Sequence, residues 1–227
     1  MNCFYSKRSA KDIEIQLLAE SQTQHFIDNN QSAGQWLESS LRSLTAGQHC
    51  LVPAADGSVK QVIVIVANDD NNSSMWAIAA LALTLPQADY YLNDSIPQQQ
   101  KTQLLLGWAL GAYQYQRYTN DEKAIARIYR QDDAAARRMD AMITAHYLTR
   151  DLINAPPNDM MPVDLADATK ALADEFSARF SEVIDDAQLA RDYPLVHAVG
   201  RASKNRPRLI RLSWGDSNHP RVCLIGK

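Results

Sequence analysis

Cysteine is scarce in this chain: Cys3, Cys50 and Cys223 are scattered over 227 residues. An odd number, so widely spaced, indicates neither a disulfide framework nor a Cys-x-x-Cys zinc site, and predicts three reduced thiols in a cytoplasmic protein. Long apolar runs are missing too, none approaching the ~20 residues that a membrane-spanning helix needs. Met1 to Arg8 lacks the apolar stretch of a secretory signal. Charge of one sign is absent, and a net charge of -3 argues for neither a nucleic-acid binder nor a membrane-surface protein. The chain contains no G-x-S-x-G, no P-loop, no H-E-x-x-H and no G-x-G-x-x-G. Asp69-Asp70-Asn71-Asn72 lacks the glycine and distal glutamate of a calcium loop and reads as a solvated turn. No repeat, low-complexity tract or long linker interrupts the sequence.

What is present is ordinary for a globular protein: 46% apolar and 22% charged residues. Ile13, Ile15 and Leu17 alternate with Glu14 and Gln16, as in a half-buried strand. Phe26, Ile27, Trp36, Leu37, Leu41 and Leu44 are spaced for one or two amphipathic helices. Residues 46 to 53 read as a short strand closed by proline, and Asp56-Gly57 as a tight turn. Val62-Ile63-Val64-Ile65-Val66 is β-branched throughout, the composition of a central strand buried on both faces. Asn68 to Ser74 form a loop that caps a helix over Met75 to Leu83.

Pro97 to Tyr115 is predicted to be a buried packing helix, with Gly107 and Gly111 admitting a close neighbour. From Asp133, the spacing of Met139, Met142, Ile143, His146 and Ile153 predicts a long amphipathic helix with His146 on its apolar face. Asn154-Ala155-Pro156-Pro157 stops that helix, and Met161-Pro162-Val163-Asp164 starts another. Phe180 to Ile184, Leu209 to Leu212 and Val222 to Ile225 are further strand candidates. Strands alternating with helices place the chain in the α/β class, with a natural boundary near residue 130.

Candidate site residues are few. His25, His49, His146, His197 and His219 share no metal-ligand spacing. Between Arg191 and Lys227, eight basic residues face two acids, Asp192 and Asp216. The aromatic interleaving of a nucleic-acid surface is missing there, so the excess is expected to face carboxylates from outside this sequence. A terminal lysine is, by spacing alone, a solvated residue.

The ordered motifs change that reading of Lys227. Arg150-Asp151-Leu152-Ile153-Asn154-Ala155-Pro156-Pro157-Asn158 is followed by Val199-Gly200-Arg201-Ala202-Ser203. Pro207-Arg208-Leu209, Trp214-Gly215-Asp216 and finally the apolar run into Gly226-Lys227 complete the series. This series resembles the leucyl aminopeptidase family, the M17 two-metal metallopeptidases, where the N-terminal domain hands over to the catalytic domain. The resemblance is specific over residues 147 to 227. Over residues 1 to 146 it is weaker, resting on Gly107-Trp108-Ala109-Leu110-Gly111-Ala112-Tyr113 and the α/β order.

The resemblance implies a macro-like α/β domain over residues 1–130. A linker helix and the start of an α/β metallopeptidase catalytic domain would follow over 131–227. It implies a cytoplasmic homo-oligomer, hexameric in the family, that removes N-terminal amino acids from peptides with two divalent ions, zinc or manganese. It makes Lys227 a metal ligand, which requires the neutral amine and therefore a pKa well below ~10. The family's other ligands, and its catalytic arginine, have no counterpart here. The chain alone is therefore expected to bind no metal and to be inactive. The competing readings are a non-catalytic oligomerisation or ligand-binding module and, lowest, a nucleic-acid-binding protein using the basic tail.

Overall fold

The computed structural model describes residues 2–41, 43–68, 73–119 and 123–226. It divides into two compact units, Met1–Arg150 and Asp151–Lys227. Both are built from strands and helices, and the larger sheet is mostly parallel, so the chain is α/β.

In the first unit, β1 (Phe4–Tyr5), β2 (Ile13–Ala19), β3 (His49–Pro53), β4 (Val59–Val66), β5 (Asp89–Leu92) and β6 (Arg127–Tyr129) form one sheet. The spatial order is β1-β6-β5-β2-β4-β3, every pairing parallel except β3 with β4. The β3–β4 hairpin turns at Asp56-Gly57, where Gly57 has a φ of +82° that a side chain would resist. β4 is the central strand the sequence predicts, with Val62, Ile63, Val64, Ile65 and Val66 all buried.

The two faces of this sheet are covered differently. One face carries Ile15, Val62, Val64, Tyr90, Leu92 and Ile128 into the main core. There they meet α3 (Ser73–Ala79), α4 (Gln98–Gly111) and the first part of α5 (Ala134–Asn154), through Ile78, Leu104, Trp108, Met139 and Ile143. Each such side chain contributes about 1.5–3 kcal/mol by leaving water. The opposite face is apolar only at Leu18, Ile63, Ile65, Cys50 and Val52, where Leu37 of α2 (Gln31–Ser40) packs, with Phe26 and Ile27 of α1 (Thr23–Asn29) alongside.

Gly107 and Gly111 work as the sequence predicts. A Cβ on Gly107 would overlap the Met75 carbonyl, and one on Gly111 the Ala79 carbonyl, so α4 lies directly on α3. In α5 the buried face is Ala136, Met139 and Ile143, continued by half-buried Tyr147. His146 is exposed, against expectation, as are Met142 and Ile153. The actual repeat of three and four residues runs 136, 139, 143, 147, which turns position 146 away from the core.

The second unit contains α6 (Pro162–Glu175), β7 (Arg179–Val183), α7 (Asp186–Asp192), α8 (Pro194–Gly200) and β8 (Leu209–Ser213). Strands β7 and β8 pair antiparallel, Arg179 opposite Ser213 and Val183 opposite Leu209. Pro162 and Asp164 start α6, the Asp164 carboxylate accepting from the Met161 N–H at 2.8 Å. Asp69-Asp70-Asn71-Asn72, predicted to be a solvated turn, lies outside the described residues.

Candidate metal centre

The segment that leads to the candidate ligand begins at the α7–α8 corner. Asp185 caps α7, accepting from Gln188 N–H at 2.7 Å. His197 on α8 lies 3.2 Å from Asp186 through Nε2, which accounts for this histidine as a corner contact rather than a free ligand. Gly200 ends α8 where the ring of Pro207 presses against it, and a Cβ there would overlap the ring. The Val199-Gly200 and Pro207-Arg208-Leu209 motifs thus meet in space, and the glycine is required by the proline.

Arg208 follows directly. Its Nη1 donates to Glu182 Oε2 at 2.6 Å across the β7–β8 pair, while its Nε is buried with no hydrogen-bond partner. Arg191 is held by its neighbour Asp192 at 2.8 and 3.0 Å, which keeps that carboxyl below the usual carboxylate range. Two of the basic residues therefore find carboxylates inside this sequence, contrary to expectation. Arg201, Lys204, Arg206, Arg211 and Arg221 are exposed.

The described residues beyond β8 form no helix or strand. Trp214 donates from Nε1 to the Phe176 carbonyl at 3.2 Å, and Asp216 accepts from Asn218 N–H at 2.8 Å in a tight turn. Val222 to Ile225, expected to be a strand, forms none. Val222, Leu224 and Ile225 are 84%, 92% and 93% exposed. A single extended run gains nothing without a partner ladder, and none of the described residues provides one. Lys227, the sequence-predicted metal ligand, lies outside the described residues.

The remaining donors do not compensate. Among the described residues, no three side chains of His, Cys, Asp or Glu converge as a metal site. His25 contacts Asn29, His49 is half-buried with its pKa lowered by burial, and His146 and His219 are exposed. The described residues alone do not fit a divalent ion, which needs several fixed ligands.

The sequence profile of the M17 aminopeptidase N-terminal domain matches residues 13–130, more than half of the chain. The chain belongs to the M17 aminopeptidase family. The profile of the cytosol aminopeptidase catalytic domain matches residues 147–227. A relative named "Probable cytosol aminopeptidase" from Leifsonia xyli subsp. xyli is 29% identical over 191 residues, covering 78% of this chain and 38% of the relative. One of the same name from Xanthomonas oryzae pv. oryzae is 41% identical over 80 residues, covering 34% of this chain and 16% of the relative. The M17 chain thus spans well under half the length of these relatives.

The crystal structure of a cytosol aminopeptidase from Coxiella burnetii superposes with a TM-score of 0.82 at 30% identity, covering 97% of this chain and 48% of that one. The bottromycin maturation enzyme BotP, in complex with Mn, shares the fold at 20% identity and a TM-score of 0.69, covering 92% and 46%. The family models and relatives of this M17 chain are named aminopeptidases, and a protein of the same fold has been solved with manganese. No described helix of this M17 chain is long and apolar enough to cross a membrane.

Proposed function

We propose that this chain is the N-terminal portion of a cytoplasmic M17 leucyl aminopeptidase, which removes N-terminal amino acids from peptides by two-metal hydrolysis. A macro-like α/β domain occupies residues 1–130, and residues 131–227 form the linker helix and the start of the catalytic domain. Lys227 is the metal ligand carried by this stretch. The observation that supports this most is the catalytic-domain match, which runs over residues 147–227 and ends on Gly226-Lys227.

The described residues contribute scaffold rather than chemistry. The Gly200–Pro207 contact and the Arg208–Glu182 pair fix β8 against β7, and the apolar run to Gly226 then leads to the ligand. Bound zinc or manganese would supply Lewis acidity and an activated water. The competing reading, a non-catalytic oligomerisation or ligand-binding module, draws on the first unit having its own sheet and core.

Leucine p-nitroanilide hydrolysis decides between them. An M17 chain extended beyond Lys227 with the remainder of the Coxiella burnetii relative is expected to hydrolyse the substrate when given Mn or Zn. Lys227→Ala should abolish most of that activity. Lys227→Arg should do no better, because guanidinium stays protonated and offers no lone pair. The 227-residue chain alone should not exceed a matched blank. Full activity of Lys227→Ala at ordinary metal concentration would overturn the ligand assignment.

A further inference from the structure

Between Arg179 and Arg221 stand eight basic residues and five acids, and each of the acids is already engaged. Glu182 is taken by Arg208 and Asp192 by Arg191. His197 lies against Asp186, Asp185 caps α7, and Asp216 accepts from the Asn218 N–H. Arg179 and Arg211 are among the cations left over: among the described residues neither forms an ion pair.

The register of the β7–β8 ribbon puts these two side chains on one face. Residues opposite each other share a face, so Arg179 with Ser213 and Ser181 with Arg211 form a square, the arginines at opposite corners. All four residues are exposed. Val183 and Leu209 complete that face, while Glu182, the ribbon's one acid, lies on the other, where Arg208 holds it. Diagonal positions on such a ribbon stand about 7 Å apart. Alternate side chains of an extended chain repeat on one side every ~6–7 Å. Carboxylates two residues apart in an extended segment therefore meet both guanidiniums at once, each through a pair of hydrogen bonds. The Ser181 and Ser213 hydroxyls, able to donate and accept, serve its backbone. Nucleic acid fits less well. Two guanidiniums neutralise only two phosphates, no aromatic ring shares the face to stack on a base, and a net charge of -3 opposes a long polyanion. The terminal ammonium of a free peptide finds no acid on this face, which favours an internal segment.

We infer that this face of the β7–β8 ribbon docks an extended acidic segment of a partner protein, its carboxylates at alternate positions set against Arg179 and Arg211. The interaction needs neither a metal nor peptidase activity, so it and the proposed function can fail independently.

The test is fluorescence anisotropy of the full chain with an N-acetylated synthetic peptide of alternating glutamate and threonine, labelled at its carboxyl end, at low salt. Saturable binding is expected. A peptide of equal length and charge with its glutamates three residues apart, which turns neighbours to opposite sides, should bind about tenfold more weakly. Arg179→Glu and Arg211→Glu should each weaken binding of the alternating peptide by about tenfold or more, since each sets like charges face to face. Arg221→Glu makes the same charge change off the ribbon and should cost less than about twofold. The double variant of Arg179→Glu and Arg211→Glu should instead bind a peptide of alternating lysine and threonine, which requires that the ribbon still be folded. No binding by the unaltered chain up to about 100 µM, equal affinity for the two glutamate spacings, or an equal loss in Arg221→Glu would each overturn the proposal. So would a double variant that is folded by circular dichroism yet ignores the lysine peptide, tighter binding of the glutamate peptide with a free amino terminus, or its displacement by an equimolar DNA duplex.

Discussion

Arg150 reaches back to the end of another helix: its Nη1 donates to the Leu110 carbonyl at 2.6 Å. Leu110 lies in the last turn of α4, whose carbonyls have no partners within the helix and carry the negative end of its dipole. The same guanidinium lies 3.9 Å over the Tyr113 ring, and Tyr147, one turn earlier on α5, donates to the Ala109 carbonyl. Helix α5 therefore satisfies the end of α4 with two side chains three residues apart. Arg150→Ala should cost about 1–3 kcal/mol, as expected for a charge-assisted bond lost at a half-buried site. Arg150→Lys should recover only part, because an ammonium cannot bond the carbonyl and stack flat on the ring together. Urea denaturation of the full chain measures both.

The α3–α4 contact makes a sharper demand. Gly111→Ala drives a methyl into the Ala79 carbonyl, and backbone cannot rotate away as a side chain can. A loss of about 1–3 kcal/mol or more is expected, despite alanine's better helix propensity. Helix propensity alone predicts the opposite sign, so the thermal midpoint of Gly111→Ala separates the two. An unchanged or raised midpoint would refute the close packing.

Much of this was legible in the sequence, and the exceptions are physical. The runs Ile13–Ala19 and Val59–Val66 are long enough for burial to leave a pattern, and the glycine pair in α4 announced its neighbour. Phe4–Tyr5 and Arg127–Tyr129 are strands of two and three residues, too short to show alternation, and exist only through pairing with each other and with β5. Asp89–Leu92 does alternate, but the tyrosines on both faces hide it. The sequence misplaces His146 because Met142 and Ile153 look like core residues; only tertiary contact shows which stripe of a helix is buried. Val222–Ile225 has the composition of a strand without the partner that would make it one. At the candidate site, the order of the motifs was readable, while the Gly200–Pro207 contact and the Arg208–Glu182 pair required the fold. Lys227 rests on the resemblance and the catalytic-domain match alone.

The two units should differ in protection from amide exchange. Val62 to Val66 are buried between two layers of helices, whereas β7–β8 is a two-stranded ribbon and residues 214–226 are exposed. Amides of β4 should exchange only at the rate of global unfolding, and those from Leu209 to Ile225 orders of magnitude faster. Exchange followed by mass spectrometry on peptides from each region checks this. Equal protection in both would show that the second unit is stabilised by contacts other than those described.

The thiols supply a test with a defined pH window. Cys3 is 2% exposed, and burial pushes its pKa from an ordinary 9.0 up to about 11. Cys50 is raised for the same reason, while Cys223 is exposed. Iodoacetamide at pH 8 should therefore modify Cys223 in the folded chain, and Cys3 and Cys50 only after unfolding, since the thiolate is the nucleophile. Linkage gives the stability consequence. A group with a raised folded-state pKa holds its proton more tightly when folded, so folding is undiminished below pH 9 and weakens as pH rises towards 11. Tyr90 and Tyr147, raised by burial to about 12 from 10.0, extend the decline upward. Cys3→Ala should make the fall of the thermal midpoint between pH 9 and 10 shallower, Cys50 accounting for what is left there and the tyrosines for the steeper loss above pH 10. A midpoint that falls identically with and without Cys3 would show that the buried thiol is not the group responsible.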